Sequence, residues 1–148
     1  MINKILIPAT IAITLGMVGC ASLPNTANTT ENLAALQQKD WILTQIDQVE
    51  YKIDPAVKNA PSLRFDNLAL SGADGCNRIM GGYAVQGTKL TFSQLAKTQM
   101  MCMNATDLEQ KFSQSLERVA GYQVKHNQLE LFDSNNKVIM KFKTIQAN

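Results

Sequence analysis

Histidine, tryptophan and net charge are what this chain of 148 residues has least of. One histidine, His126, cannot build a histidine-rich metal centre. It also leaves a serine–histidine–carboxylate triad a single candidate base, and no nucleophile-elbow pattern accompanies it. Against 12 Asp and Glu stand 14 Lys and Arg, and a formal charge of +2 predicts no nucleic-acid footprint. No glycine cluster ends in Gly-Lys-Ser/Thr or opens a helix after a strand, so a phosphate-cradling loop is excluded. Asp133-Ser134-Asn135 lacks the further acidic ligands that calcium needs and reads as a turn. No repeat of fixed period is present. The expectation is a protein without metal, cofactor or catalytic set, and so a non-enzyme.

Charge is also missing from the front of the chain, where Lys4 stands alone before Glu31. Ile5 to Val18 is a run of 14 apolar or small residues, which is signal-peptide length and short for a bilayer span. It ends in Met17-Val18-Gly19-Cys20, which resembles the lipobox of bacterial lipoproteins. That resemblance implies a signal peptide over 1–19, cleavage before Cys20 and acyl chains on that cysteine. Several chains on one residue would anchor it stably, as one alone would not. Ala21 follows Cys20 with no aspartate to retain it at the inner membrane, which favours the periplasmic face of the outer membrane. Residues 20–38 are polar and read as a flexible tether, with a helical turn or two toward its end. Without Lys4 the mature charge falls from +2 to +1.

Lipidation of Cys20 leaves Cys76 and Cys102 in an oxidising compartment, where two cysteines most often pair. The bridge would close a loop of 27 residues and contribute about 3.5 kcal/mol in the chain-entropy model. The rival is a soft-metal site, because Met100, Met101 and Met103 surround Cys102 and sulfur ligands select Cu(I). Two facts favour ordinary packing by these methionines: neighbouring strand residues face opposite ways, and a disulfide removes the thiolates.

Beyond residue 38 the patterns are those of one small domain over 39–145. "WILTQI" and "VEYKI" flank Asp47-Gln48, and "SLRFDNLALSG" alternates apolar and polar residues with a break at Asp66-Asn67. "YAVQGTKLTF" repeats the device with Gln86-Gly87. Leu108, Phe112, Leu116 and Val119 then lie on one helical face, Thr106 and Glu109 have capping-box spacing, and Gly121 stands as a stop. "YQVKH", "LELFD" and "VIMKFK" resume the strands, with turns at Asn127 and at Ser134-Asn135-Asn136. The expected fold is mainly β (α+β): a small antiparallel barrel-like or strongly curved sheet of about eight strands with one amphipathic helix packed on it. Nine aromatic residues are enough to fill the interior of so small a sheet.

Four of the eight glycines fall within "SGADGCNRIMGGY", residues 71–83. Gly72 and Gly75 suit a turn at positive φ, and Gly81-Gly82 suit a bending strand. Asn77, Arg78 and Tyr83 are the candidates for an exposed recognition loop.

Cys76-Asn77 with Gly81 and Tyr83, followed by Thr98, Met100 and Cys102, match the C-N-x-x-x-G-x-Y and T-x-M-x-C segments of the META domain. Glu109, Phe112 and Leu116 fall on its E-x-x-F-x-x-x-L helix, and Trp41 on its opening tryptophan. The chain resembles the HslJ-like, heat-shock-associated lipoproteins of that family over roughly residues 36–144. Where relatives often carry Thr-Arg-Met, Gln99 stands in this chain, which leaves Arg78 or Lys97 to supply the charge. The resemblance implies a compact β-rich fold, structural roles for Trp41, Gly81, Thr98, Met100 and Glu109, and a link to envelope stress. It brings no defined reaction. The leading expectation is a monomeric module held to the membrane by its N-terminal lipid and binding an envelope protein. A periplasmic small-ligand carrier, or an inhibitor of a foreign protease or lysozyme, is the alternative.

Overall fold

The computed structural model describes residues 32–103 and 106–144. The signal peptide, Cys20 and the first part of the tether lie outside the described residues. A helical turn at 32–36 (α1) precedes nine strands, all paired antiparallel: β1 Asp40–Ile46, β2 Val49–Glu50, β3 Ser62–Asp66, β4 Ala69–Ala73, β5 Arg78–Gln86, β6 Lys89–Lys97, β7 Gly121–Lys125, β8 Gln128–Phe132 and β9 Val138–Thr144. The helix Leu108–Glu117 (α2) joins β6 to β7.

From β3 to β9 each strand pairs with the next in sequence, and β1 pairs with both β3 and β9. The sheet therefore curves round into a ring. Its narrowest seam is between β6 and β7, which share the single pair Lys89 and Gly121. Past that pair the edge of β6 is unmatched, and α2 runs back beside it, with Lys97 Nζ donating to Ser113 Oγ at 3.0 Å. Phe112 and Leu116 turn inward from the helix, and the Phe112 ring meets Phe142 edge-on at 6.2 Å. Arg118, just beyond the helix, pairs with Asp47 at the far end of β1 at 3.2 Å. So α2 closes both the seam and the Asp47 end of the ring.

The Asp40 end is closed by α1. Leu36 is completely buried, its carbonyl accepts from Trp41 Nε1 at 2.8 Å, and Gln38 N donates to Phe65 O. The folded unit thus begins inside the stretch read as tether. Leu33 and Leu36 are spaced to share one face of a helical turn, but two leucines before Gln37-Gln38 are too short a stripe to signal a buried face. Between the two ends the interior is solid side chain. Trp41, Phe65, Phe112 and Phe142 are fully buried, and Phe65 packs on Tyr83 edge-on at 5.1 Å and on Phe92 at 6.2 Å.

Other boundaries move for local reasons. "VEYKI" yields only the two residues of β2, because Tyr51 N turns back to Thr44 O and the chain leaves the sheet until Pro61. Half of the expected capping box forms. Glu109 Oε2 accepts from Thr106 N at 3.1 Å, but Thr106 Oγ1 accepts from Leu108 N at 3.2 Å, and Asp107 is the N-cap. The helix stops at Arg118, so Gly121 is not its cap. It opens β7, where a Cβ would sit 3.1 Å from Thr88 O.

Two side chains strain against their places. Leu68 follows Asn67 in the β3–β4 turn, and both have positive φ, 71° and 33°. That geometry favours Asn-Gly, and an exposed leucine gains little there. Leu68→Gly is expected to stabilise the domain by about 1 kcal/mol, seen as a melting midpoint raised by several degrees. Tyr122 is buried with a hydroxyl that has no partner among the described residues. Desolvation, with Tyr83 adding to it, raises its pKa above the usual tyrosine value. A raised folded pKa gives stability that is whole below the unfolded value of about 10 and is lost as pH climbs through the folded one. Tyr122→Phe should therefore be neutral or slightly stabilising at pH 7 and should blunt alkaline unfolding. Denaturant midpoints measured for both proteins from neutral pH upward check this.

Candidate functional site

The glycine-rich stretch is built around a buried carboxylate that the sequence did not advertise. Asp74 ends the β4 side of the loop and is wholly inaccessible. Its Oδ1 accepts from Cys76 N at 3.0 Å and from Asn77 N at 2.6 Å, while its own N–H donates to Asn77 O. Such an Asx turn is what Asp before Gly can form, but nothing in the letters indicates its burial. Oδ2 accepts no hydrogen bond from the described residues. Lys97 Nζ lies 3.8 Å from it, close enough to offset its charge.

Glycine enters this loop for two different reasons. Gly75 has φ of 106°, as expected for a turn. Gly72 corrects the expectation: it lies within β4, and a Cβ there would run into the carbonyl oxygen of Ser62 on β3. The bend expected at Gly81-Gly82 is a bulge, with Gln94 and Leu95 of β6 facing Gly81 between the pairs Met80–Ala96 and Gly82–Ser93.

From this loop the contacts run to a strap, residues 98–103, that follows β6. Asn77 Oδ1 accepts from Met100 N at 2.8 Å, Thr98 Oγ1 accepts from Arg78 N at 3.0 Å, and Thr98 N donates to Arg78 O. Asn59 Nδ2 closes the other side by donating to Cys76 O at 2.7 Å. Cys76 and Cys102 are joined by a disulfide, with Cα atoms 6.0 Å apart. The thiolates of a soft-metal site are therefore absent in this state. Together with α2 these groups enclose an open cleft of about 340 Å³, floored by the disulfide and edged by Asn77, Lys97, Glu109, Gln110 and Ser113.

The structure thus brings Asn77, Thr98, Met100, Glu109 and the two cysteines together. Trp41 lies apart, in the core. The three residues read as a recognition loop are separated, because strand alternation turns them different ways. Arg78 faces solvent, whereas Asn77 is buried in the stitch and Tyr83 is buried in the ring, its hydroxyl accepting from Gln37 Nε2 at 2.6 Å. Among the described residues no carboxylate pairs with Arg78. Gln99 is exposed, as is His126 in its turn.

The family model described as the META domain matches residues 34–145. The chain belongs to the META domain family. It is 29% identical over 137 residues to the heat shock protein HslJ of Escherichia coli (strain K12), covering 91% of this chain and 94% of that one. A Burkholderia xenovorans protein solved by NMR superposes with a TM-score of 0.61 at 25% identity, covering 91% of this chain and all of that one. A second protein solved by NMR gives 0.58 at 29% identity over 74% of this chain and 92% of its own. Within this META domain Asn77, Thr98 and the Cys76–Cys102 disulfide pin the loop and strap together.

Reducing the Cys76–Cys102 bridge should lower stability by about 3.5 kcal/mol and the melting midpoint by about 10 °C or more. Asn77→Ala, with the disulfide intact, should cost about 1–3 kcal/mol, since it leaves the Met100 N–H without its acceptor. Calorimetry of the oxidised, reduced and Asn77→Ala proteins checks both expectations.

Proposed function

We propose that this META domain is a non-enzymatic recognition module of the cell envelope, tethered through lipid on Cys20 to the periplasmic face of the outer membrane and engaged in heat or envelope stress. The name of its relative HslJ supports the stress link, and the lipobox-like Met17-Val18-Gly19-Cys20 supports the anchor. The observation that carries the recognition reading is Arg78: an exposed guanidinium with no partner among the described residues, at the start of β5 where it leaves a loop made rigid by Asp74, Asn77 and a disulfide. Rigid loops bind with little ordering cost, and arginine is well suited to carboxylates and carbonyls on a protein partner. The filled interior weighs against a small-ligand carrier, because Trp41, Phe65, Tyr83 and Tyr122 occupy the space that cargo would need.

The test immobilises the folded domain and compares capture of envelope proteins by wild type and Arg78→Ala. A partner retained by the first and lost by the second, with equal melting midpoints, is the expected result. Equal capture would confine the loop to structure. A native mass spectrum of the oxidised protein should show a bare monomer; added mass that leaves on denaturation would make it a carrier instead.

A further inference from the structure

Five methionines lie among the described residues, and their environments differ sharply. Met140 on β9 is completely buried, Met80 and Met100 are half exposed, and Met101 and Met103 are about 100% exposed. The next most exposed large apolar side chain, Leu68, reaches 68%. So Met101 and Met103 fill no core, although that is the usual employment of methionine. They flank Cys102, whose sulfur is committed to the disulfide, so neither described cysteine offers a thiolate to compete for an oxidant. The backbone of Met101 is held on both sides, by Asn77 Oδ1 on Met100 N and by the bridge at Cys102, and Met103 directly follows that bridge.

We propose that Met101 and Met103 form a reversible methionine-sulfoxide modification site, whose co-reactant is hydrogen peroxide. The thioether sulfur attacks the terminal oxygen of the peroxide with a lone pair and the O–O bond breaks. One oxygen stays on sulfur and the other leaves as water, so sulfur loses the two electrons that the peroxide gains. The reverse step takes two thiols of a reductase, which become a disulfide as the oxygen departs in water. Placement decides the consequence. An oxygen added to Met140 would put a polar group into a closed core, whereas on Met101 or Met103 it meets only solvent and leaves the fold alone. This chemistry is independent of any partner that Arg78 engages.

The experiment treats the full-length folded protein with hydrogen peroxide and follows each methionine by peptide mass spectrometry after reduction of the disulfide. Met101 and Met103 should gain oxygen at least about tenfold faster than Met140, with Met80 and Met100 between. The melting midpoint should not change as the first two oxygens enter, and methionine sulfoxide reductases should remove them from the folded protein. The double variant Met101→Leu with Met103→Leu should keep the wild-type melting midpoint and lose the fast phase. Met140 keeping pace, melting falling in step with oxygen uptake, sulfoxides resistant to the reductases, or a fast phase surviving in the double variant would each overturn the proposal.

Discussion

A carboxylate closed off from water is costly to keep, and Asp74 is tolerated because it gathers two backbone N–H groups that the loop would otherwise leave unpaired. That one exchange fixes the direction of the chain at Cys76 and Asn77. The Asn77 side chain is thereby aimed at Met100 N, and the Cys76 sulfur at Cys102. Remove the carboxylate and both later contacts lose the geometry on which they depend. The disulfide thus joins the same two segments that these hydrogen bonds align. Lys97 completes the arrangement from β6 by placing a cation beside Oδ2, while it also holds Ser113 on α2. One side chain in this way links the buried loop to the helix that plugs the ring.

The need for that linkage follows from the weakness of the ring between β6 and β7. One residue pair cannot fix the register of two strands, and an unmatched strand edge invites association. Covering it with α2 solves the edge problem but requires the chain to travel from the end of β6 to the helix start without wandering. The strap and its pins supply that constraint: Thr98 and Met100 at one end, Cys102 in the middle, Glu109 on Thr106 at the other. The spacing of Thr98, Met100, Cys102 and Glu109 in this chain therefore has a mechanical reading, in which each of these residues shortens the freedom of one connection.

What could be read ahead of the structure was whatever depends on local chemistry or period. Alternation marked β3, β4, β8 and β9, the apolar stripe of Leu108, Phe112 and Leu116 marked α2, and the turn at Ser134-Asn135-Asn136 was plain from its residues. What escaped depends on burial. Asp74 looks like any aspartate before glycine, and its role comes from being enclosed. Gly72 reads as a turn glycine, while its actual reason is the carbonyl of a strand ten residues earlier. Tyr83 lies in the same short motif as Arg78, yet the two point to opposite sides of β5 because strand period separates them. Leu36 ends a short Leu-Ala-Ala-Leu stretch before Gln37, and its burial follows from tertiary contacts such as the Trp41 indole reaching back to its carbonyl.

Rigidity and exposure meet at the strap in a way that a free loop could not reproduce. A segment that binds or reacts from an open chain must first be ordered, and each rotamer-rich side chain immobilised costs about 0.5–1.5 kcal/mol. Here the backbone either side of Met101 is already fixed by a hydrogen bond and a covalent bond, so only the thioether torsions remain free. The same pins keep Arg78 on the neighbouring strand at a constant distance, since its N–H and carbonyl are both tied to Thr98. A basic group and soft apolar groups thus stand on one preformed edge. Changing the chemistry of the thioethers alters what that edge presents and leaves its shape intact, because none of the bonds that set the shape passes through the sulfur atoms of Met101 or Met103.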